Sequence, residues 1–254
     1  MKSVLLTRNI EENNETIKEI SKYNLDLRYI YCPLIKYKTL DFNINILDNY
    51  SNIIITSKYA ASILAGHNLK QDIWVVGNKS KQLLGKKVAY AAKNVEDLIK
   101  YFPSDLYEQA IYLSSNEITK DLPNKIARHI IYNVEYLNEL PLSIIKEFKS
   151  NIDFILLYSQ NSAKTLVKLL LQNNLLEYTA DTSKARSQIS GEPAERIIDV
   201  PNLEVSKVYL QDSLVVAISL KVANIVRPFI KNVVYCDDQN PNDIIKLLSE
   251  NAKI

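Results

Sequence analysis

Short runs of branched aliphatic residues alternate with longer stretches of helical spacing along most of the chain. Residues 52–64 (NIIITSKYAASIL) show this unit most clearly, because three isoleucines precede Thr56 and Ser57 and apolar residues at helical spacing follow. A continuous β-branched run is typical of a strand that is buried on both faces. The segment therefore predicts a buried strand, a polar turn and the start of a helix.

The same order of parts recurs at residues 153–166 (DFILLYSQNSAKTL). Hydroxyl side chains between a strand and a helix can cap the first free N–H groups or leave them available for an anion. In the first copy 20 residues separate Ser57 from Gly77, whereas 60 separate Ser159 from Ser219 in the second. We interpret the excess, at residues 177–212, as an exposed insertion, either a substrate lid or a tolerated surface loop.

The remaining pattern predicts strands and helices in alternation. Further strands are expected at residues 3–8, 25–32, 72–77, 87–90, 110–113, 213–218 and 232–235. Helices are expected to carry Ile17 and Ile20 and to cover residues 78–84, 95–102, 117–127, about 160–176, 220–229 and 241–251. Such alternation predicts βα units around parallel sheets. Two extended segments, residues 33–40 and 130–140, are paired provisionally as crossings between two domains.

Composition excludes several classes of protein. The 254 residues are 47% hydrophobic, which is enough for a substantial core, and the net charge of +2 is too small for a general nucleic-acid binder. Only four glycines occur, and neither GxGxxG nor GxxxxGK[ST] is present.

No apolar run approaches the roughly 20 residues that span a bilayer, so we expect a cytoplasmic protein without a membrane partner. The two cysteines, Cys32 and Cys236, form no CxxC motif, and His67 and His129 have no partner spacing, so no metal site is expected.

Seven segments in fixed order resemble the uroporphyrinogen-III synthase family. They are VLLTR (4–8), YCPLIKY (31–37), ITSKYAASIL (55–64), WVVGNKSKQLL (74–84), VEYLNELP (134–141), LYSQNSAKTL (157–166) and VAISLKVANIV (216–226). The resemblance implies an α/β fold with two parallel-sheet, flavodoxin-like domains joined by a two-stranded β-ladder. The N-terminal segment would pack into the C-terminal domain.

The resemblance also implies domain boundaries. Residues 1–34 and 140–254 would form domain 1, residues 38–134 domain 2, and residues 33–40 and 132–141 the linker strands.

The implied activity is that of a cofactor-independent lyase. The family cyclises hydroxymethylbilane, a linear tetrapyrrole with eight carboxylates bound in a cleft between the domains. Loss of the substrate hydroxyl gives an azafulvene, attack by the terminal ring gives a spiro intermediate, and reclosure inverts that ring with net loss of water. The resemblance thus implies hydroxymethylbilane as the partner, no cofactor, no nucleic acid, and a monomer.

Thirteen residues are implied as site residues. Tyr136 matches the family's tyrosine on the second ladder strand, where a phenol near the departing hydroxyl can donate a hydrogen bond or a proton. The substrate-binding residues would be Thr7, Arg8, Thr56, Ser57, Gly77, Ser115, Asn116, Ser159, Gln160, Asn161, Ser219 and Lys221. For each hydroxyl, a helix cap that serves only the fold is an equally simple interpretation.

Departures from the family pattern leave an alternative open. Lys58 and Gln160 stand where the family has proline, and Tyr158 stands where the second copy would have threonine. Residues 219–222 (SLKV) replace a Gly-Pro-Thr-Thr turn, although Lys221 can supply a cation. A catalytically lapsed protein that binds a tetrapyrrole or another anion is therefore the second hypothesis. A sugar-phosphate isomerase-like enzyme would need a phosphate loop and a base that we do not find.

Overall fold

A computed structural model describes residues 1–176, 209–238 and 240–253. It confirms the predicted mixed α/β class with parallel sheets. Packing divides the chain into unit 1, Met1–Lys36 with Tyr136–Ile254, and unit 2, Tyr37–Glu135. Most of the proposed insertion, residues 177–208, lies outside the described residues.

The strands are, in chain order, β1 (Lys2–Leu6), β2 (Leu27–Tyr31), β3 (Ile35–Thr39), β4 (Asn52–Ile55), β5 (Asp72–Val76), β6 (Val88–Ala92), β7 (Ala110–Ser115), β8 (Ala127–Tyr136), β9 (Phe154–Leu157), β10 (Leu214–Ala217) and β11 (Val233–Tyr235). The described α-helices are α1 (Ile10–Ile20), α2 (Lys58–Leu64), α3 (Asn78–Leu84), α4 (Val95–Tyr101), α5 (Leu142–Lys149), α6 (Gln160–Gln172), α7 (Leu220–Val226) and α8 (Pro241–Ala252). Short 3-10 helices cover Ser21–Tyr23, Ile44–Asn49, Gly85–Lys87 and Ser104–Gln109.

Unit 1 is built on a five-stranded parallel sheet in the order β11-β10-β9-β1-β2. The N-terminal strand β1 therefore lies between β2 and a strand that follows it by about 150 positions. Val4 pairs with Tyr29 on one side and with Phe154 on the other. Because both neighbours use its backbone, β1 is fully buried from Ser3 to Leu6, as a central parallel strand must be.

A reciprocal polar contact locks the start of β1 to the start of β9. The Ser3 N–H and hydroxyl both donate to Asp153 Oδ2, at 2.7 and 2.8 Å, and the Asp153 N–H donates to Ser3 Oγ at 3.0 Å. Burial alone would raise the pKa of the Asp153 carboxyl, but these donors outweigh it and hold the pKa below its usual value. The contact therefore fixes the register of the pairing.

Helix α5 is an element that the sequence pattern did not lead us to predict. Ile144 and Phe148 lie one turn apart and point into the core of unit 1, where Phe148 is completely buried. Pro141 precedes the first turn, which needs no backbone N–H from it. The helical spacing was present in the sequence, but the helix has only 8 residues, a length at which packing rather than propensity decides its formation.

Unit 2 is built on a six-stranded sheet in the order β3-β8-β7-β4-β5-β6. Strand β4 runs through its middle and is buried at every position. Ile53 and Ile55 contact one hydrophobic cluster while Ile54 contacts a second cluster on the opposite face. The alternation of side chains along a strand thus explains why this run is apolar throughout.

The two extended segments that were paired provisionally are the neighbouring strands β3 and β8. Flanking bonds from the Leu40 N–H to Ile131 O and from the Leu137 N–H to Leu34 O, both 2.9 Å, show that they run antiparallel. Strand β8 also pairs with β7, in parallel, so the pair continues a larger sheet. Division between the units falls within β3 and at the end of β8.

The prediction of a helix at residues 117–127 is wrong. This stretch contains bends and a turn, and β8 already begins at Ala127. Pro123 lacks an N–H, and its carbonyl accepts instead from the Ile126 N–H in a tight turn. The Arg128 guanidinium donates to the carbonyls of Ser115 and Asn116. The Arg128 bonds hold the loop that precedes residue 117, and the turn at Pro123 takes up a carbonyl that a helix would have used.

Replacing Phe148 with alanine tests the core of unit 1. We expect Phe148→Ala to lower the free energy of unfolding by about 3–5 kcal/mol, because it leaves a cavity. The matched control Leu142→Ala, at a residue of the same helix that is 78% exposed, should change it by less than about 0.5 kcal/mol. Urea titrations followed by circular dichroism measure both, and equal losses in the two variants would contradict the packing.

Replacing Asp153 with asparagine tests the contact between β1 and β9. We expect Asp153→Asn to lower the free energy of unfolding by about 1–2 kcal/mol at pH 7, because a charged acceptor of two hydrogen bonds is removed. Because the carboxyl pKa is lower in the folded chain, its stabilisation is present above the unfolded value, near pH 3.9, and is lost as the pH falls through the folded value.

The difference in the free energy of unfolding between the native protein and Asp153→Asn should therefore become smaller below about pH 4. Denaturation series from pH 3 to 7 measure it. The control variant is Asp26→Asn, at an exposed residue. A difference in unfolding free energy for Asp153→Asn that is independent of pH would refute the role of the charge.

Candidate functional site

The topology of each sheet marks one crevice where a ligand is expected. In unit 1 the chain leaves β1 towards β2 on one side and leaves β9 towards β10 and β11 on the other. In unit 2 it leaves β4 towards β5 and β6 and returns to β7 on the opposite side. Ligands of open parallel sheets bind outside the carboxyl ends of the strands at such reversals. The crevices thus lie at β1/β9 and at β4/β7.

Thr7 and Arg8 follow β1 at the first crevice. The Thr7 hydroxyl is buried and donates to Leu156 O at 2.6 Å, so it joins β1 to β9. The Arg8 guanidinium pairs with Glu12 and lies over the ring of Tyr158, with 4.6 Å from Cζ to the ring centroid. Arg8 therefore has both a carboxylate and an aromatic face within the protein.

Glu12 occupies the first turn of α1, which is the position where an anion would bind. Its N–H donates to Asn9 Oδ1 at 2.9 Å, and its carboxylate accepts from Asn9 Nδ2 at 3.1 Å. These reciprocal bonds resemble a capping box. The start of α1 thus already holds a carboxylate of the chain itself.

Tyr158 and Ser159 follow β9 beside them. Burial raises the pKa of Tyr158, against a hydrogen bond with Thr16 and the charge of Arg8, which lower it. The Ser159 hydroxyl caps α6 by accepting from the Ser162 N–H at 3.0 Å. Tyr158 was not expected to face substrate, and here it supports Arg8 instead.

Tyr136, the expected catalytic residue, ends β8 and meets α6. Its hydroxyl oxygen accepts a hydrogen bond of 2.8 Å from Asn161 Nδ2. Both residues line a pocket of about 260 Å³ whose other lining residues are Leu137, Asn138, Lys164, Thr165 and Lys168. The structure thus brings Tyr136 and one expected substrate-binding residue together in a concave, partly polar site.

Three further expected residues lie at the starts of α6 and α7. Gln160 is the first residue of α6 and is exposed. Ser219 precedes α7, and within the described parts of the chain its hydroxyl has no hydrogen-bond partner. Lys221 is exposed in the first turn of α7. Strands β9 and β10 are neighbours, so Ser159 and Ser219 follow adjacent strand ends.

Hydroxyl pairs dominate the crevice at β4/β7 in unit 2. Thr56 and Tyr112 are joined through their hydroxyls at 2.7 Å. Ser57 caps α2 by accepting from the Ala60 N–H at 3.0 Å, and it also accepts from the Tyr132 hydroxyl at 2.9 Å. Burial raises the pKa of Tyr112, while its bond with Thr56 lowers it. Thr56 and Ser57 are therefore held in place by tyrosines of β7 and β8.

The last three expected residues of unit 2 also serve the backbone. Gly77 has φ +86°, which favours glycine, and its N–H donates to Ala92 O at 2.9 Å. The Ser115 hydroxyl donates to Glu117 O. Asn116 Oδ1 accepts from the Val134 N–H at 2.7 Å. These contacts shape the loops after β5 and β7.

Lys164 and Lys168 are pocket residues that the sequence analysis missed. With Asn161 they occupy positions i, i+3 and i+7 of α6 and so share one helical stripe. The opposite stripe, with Leu166, Val167 and Leu170, is fully buried. That periodicity identifies the exposed face, but only the position of Tyr136, Leu137 and Asn138 shows that this face borders a pocket.

Residues 1–176, 209–238 and 240–253 contain neither a cluster of metal ligands nor a helix that could span a membrane. Within these ranges no group of three or more His, Cys, Asp or Glu side chains is placed to hold a metal ion. None of the helices described there is long and apolar enough to cross a membrane.

Comparison with known proteins reveals a matching family. A family model described as uroporphyrinogen-III synthase HemD matches residues 18–187. An uncharacterized protein of Rickettsia prowazekii (strain Madrid E) is 63% identical, with full coverage of both chains.

Solved structures support the fold. A uroporphyrinogen-III synthetase from Helicobacter pylori 26695 is similar with a TM-score of 0.55 and 11% identity, covering 99% of this chain and 100% of that one. A mutant uroporphyrinogen III synthase from the extremely thermophilic bacterium Thermus thermophilus gives a TM-score of 0.50 and 10% identity, covering 100% and 99%.

At these identities the structures show the fold alone, whereas the family model spans well over half of the sequence. The chain belongs to the uroporphyrinogen-III synthase family.

Proposed function

We propose that this chain is a uroporphyrinogen-III synthase, which cyclises hydroxymethylbilane with inversion of the terminal ring and loss of water. Family membership supports the reaction class. The observation that carries the proposal is the hydrogen bond from Asn161 to the Tyr136 hydroxyl in the lining of a pocket with two lysines. It combines a proton donor, a fixed orientation and cations that suit a polycarboxylate.

Tyr136 acts on the departing hydroxyl of the substrate. A hydroxyl that accepts a hydrogen bond donates more strongly, since successive hydrogen bonds polarise one another. The bond from Asn161 therefore orients the phenol and strengthens it as a donor. Donation to the leaving oxygen assists its departure as water and the formation of the azafulvene. Subsequent ring attack, fragmentation and reclosure need the substrate folded more than they need further acid or base groups.

Carboxylates of the substrate bind at the carboxyl ends of the sheets. In unit 1 we propose Arg8, Gln160, Asn161, Ser219 and Lys221 as contacts, with Thr7 and Ser159 contributing backbone groups. In unit 2 we propose Thr56, Ser57, Gly77, Ser115 and Asn116. The backbone groups and hydroxyls of these residues can bind anions without a strongly basic protein.

A product assay tests the activity. Purified protein and freshly made hydroxymethylbilane are expected to yield the type III isomer, separated from type I by chromatography after oxidation. Heat-denatured protein is the control for spontaneous closure. Exclusively type I product would overturn the proposed function.

The second candidate function is ligand binding without turnover. It is favoured by the departures from the family pattern, because residues 219–222 (SLKV) replace a Gly-Pro-Thr-Thr turn and Tyr158 stands where the second copy would have threonine. Tight binding of a porphyrin by a protein that yields only type I product would establish it.

Replacing Tyr136 with phenylalanine tests the proposed donor. We expect Tyr136→Phe to lower kcat about tenfold, since one hydrogen bond to the transition state is lost at about 1.4 kcal/mol. Thermal stability should change little because the phenyl ring is retained. Steady-state kinetics and a melting curve measure the two effects.

Matched variants sharpen this test. Tyr23→Phe alters a tyrosine of unit 1 that is 37% exposed and distant in sequence from the pocket, and it should leave kcat unchanged. Asn161→Ala should also lower kcat. In the double variant with Tyr136→Phe, kcat should fall by less than the product of the two single decreases, because the residues act as a unit. Native turnover in Tyr136→Phe would remove Tyr136 from the mechanism.

A further inference from the structure

The pocket beside Tyr136 has an uneven distribution of charge. Lys164 and Lys168 contribute two cations to it, and none of the residues that line it is acidic. Both lysines are exposed, and neither forms an ion pair with any carboxylate in the described ranges. The whole chain, with both lysines included, has a net charge of only +2, so the positive potential here is local.

The spacing of the two lysines suits a ligand with two acidic groups. Residues i and i+4 of a helix have Cβ atoms about 5–6 Å apart, and flexible four-carbon stems carry their ammonium groups. The stems and Leu137 also provide apolar surface against which a flat ring can lie. Thr165 also lines the pocket and is largely buried.

We propose that Lys164 and Lys168 bind the two carboxylates of a single pyrrole ring, the one that lies next to Tyr136. This proposal rests on the proposed function for the identity of the substrate, whose eight carboxylates are shared by four rings. The lysines are specificity-determining residues rather than catalytic ones. They hold the ring by its acidic side chains while Tyr136, oriented by Asn161, remains beside it.

Charge-removing variants test the pair. Lys164→Gln and Lys168→Gln should each raise KM about threefold, and the double variant about tenfold, as expected for exposed ion pairs. Added salt should raise the KM of the native protein more than that of the double variant, because salt screens the exposed lysine charges that the variant lacks. The rise in KM should exceed any fall in kcat, which separates ligand binding from a structural role.

The matched control is Lys149→Gln, which removes the same charge from an exposed lysine of α5 in the same unit. It should leave KM and its salt dependence unchanged. An equal rise in KM for this control would overturn the proposal, because general attraction would then explain the effect.

A binding measurement separates this proposal from the proposed function. Fluorescence titration with uroporphyrin III needs no turnover, and the double variant should bind it about tenfold more weakly. For a porphyrin with methyl groups in place of the acetates, the affinities of the native protein and the double variant should differ less.

If native protein makes only type I product but the lysine variants lose porphyrin affinity, the anion site stands and the enzyme activity falls. If type III product forms and the double variant keeps native KM and affinity, the lysine proposal is overturned while the activity stands.

Discussion

The insertion of β1 between β2 and β9 is the constraint on which unit 1 depends. A parallel pairing across about 150 positions must recover a large loss of chain entropy, and the reciprocal bonds between Ser3 and Asp153 help to specify its register. The Thr7 hydroxyl, bonded to Leu156 O, holds the other end of the same strand pair. Polar contacts thus fix both ends of an otherwise apolar pairing.

This pairing also creates the chemistry of the sheet edge. After the parallel strands β1 and β9 the chain turns towards opposite sides of the sheet, which leaves a crevice between the two loops. Arg8 contacts Tyr158 and Glu12 there. Asn161 in the first turn of α6 reaches the Tyr136 hydroxyl. A strand order that was settled by packing therefore positions the groups that we propose to act on substrate.

Hydroxyl residues at strand ends serve the fold and the site at once. Ser57 and Ser159 cap their helices, and Ser57 also receives a hydrogen bond from Tyr132. Such caps contribute roughly 1 kcal/mol each to stability, which is reason enough for their presence. The pocket beside Tyr136 differs, since two lysines line it together and none of its lining residues is acidic. Two cations in one concave site are therefore the stronger indication of ligand binding.

The sequence by itself determined the α/β class, the parallel strands and most element positions, because buried β-branched runs and helical spacing are local properties. It also singled out Tyr136 and Asn161, through resemblance. Residues 117–127 do not form a helix, since Pro123 lacks an N–H and its carbonyl accepts from Ile126 in a tight turn. Only the tertiary structure decided that Asn161 bonds to Tyr136 and that Lys164 and Lys168 border the same pocket. Helical periodicity specifies which residues share a face, but what that face meets depends on strand pairings between residues far apart in the chain.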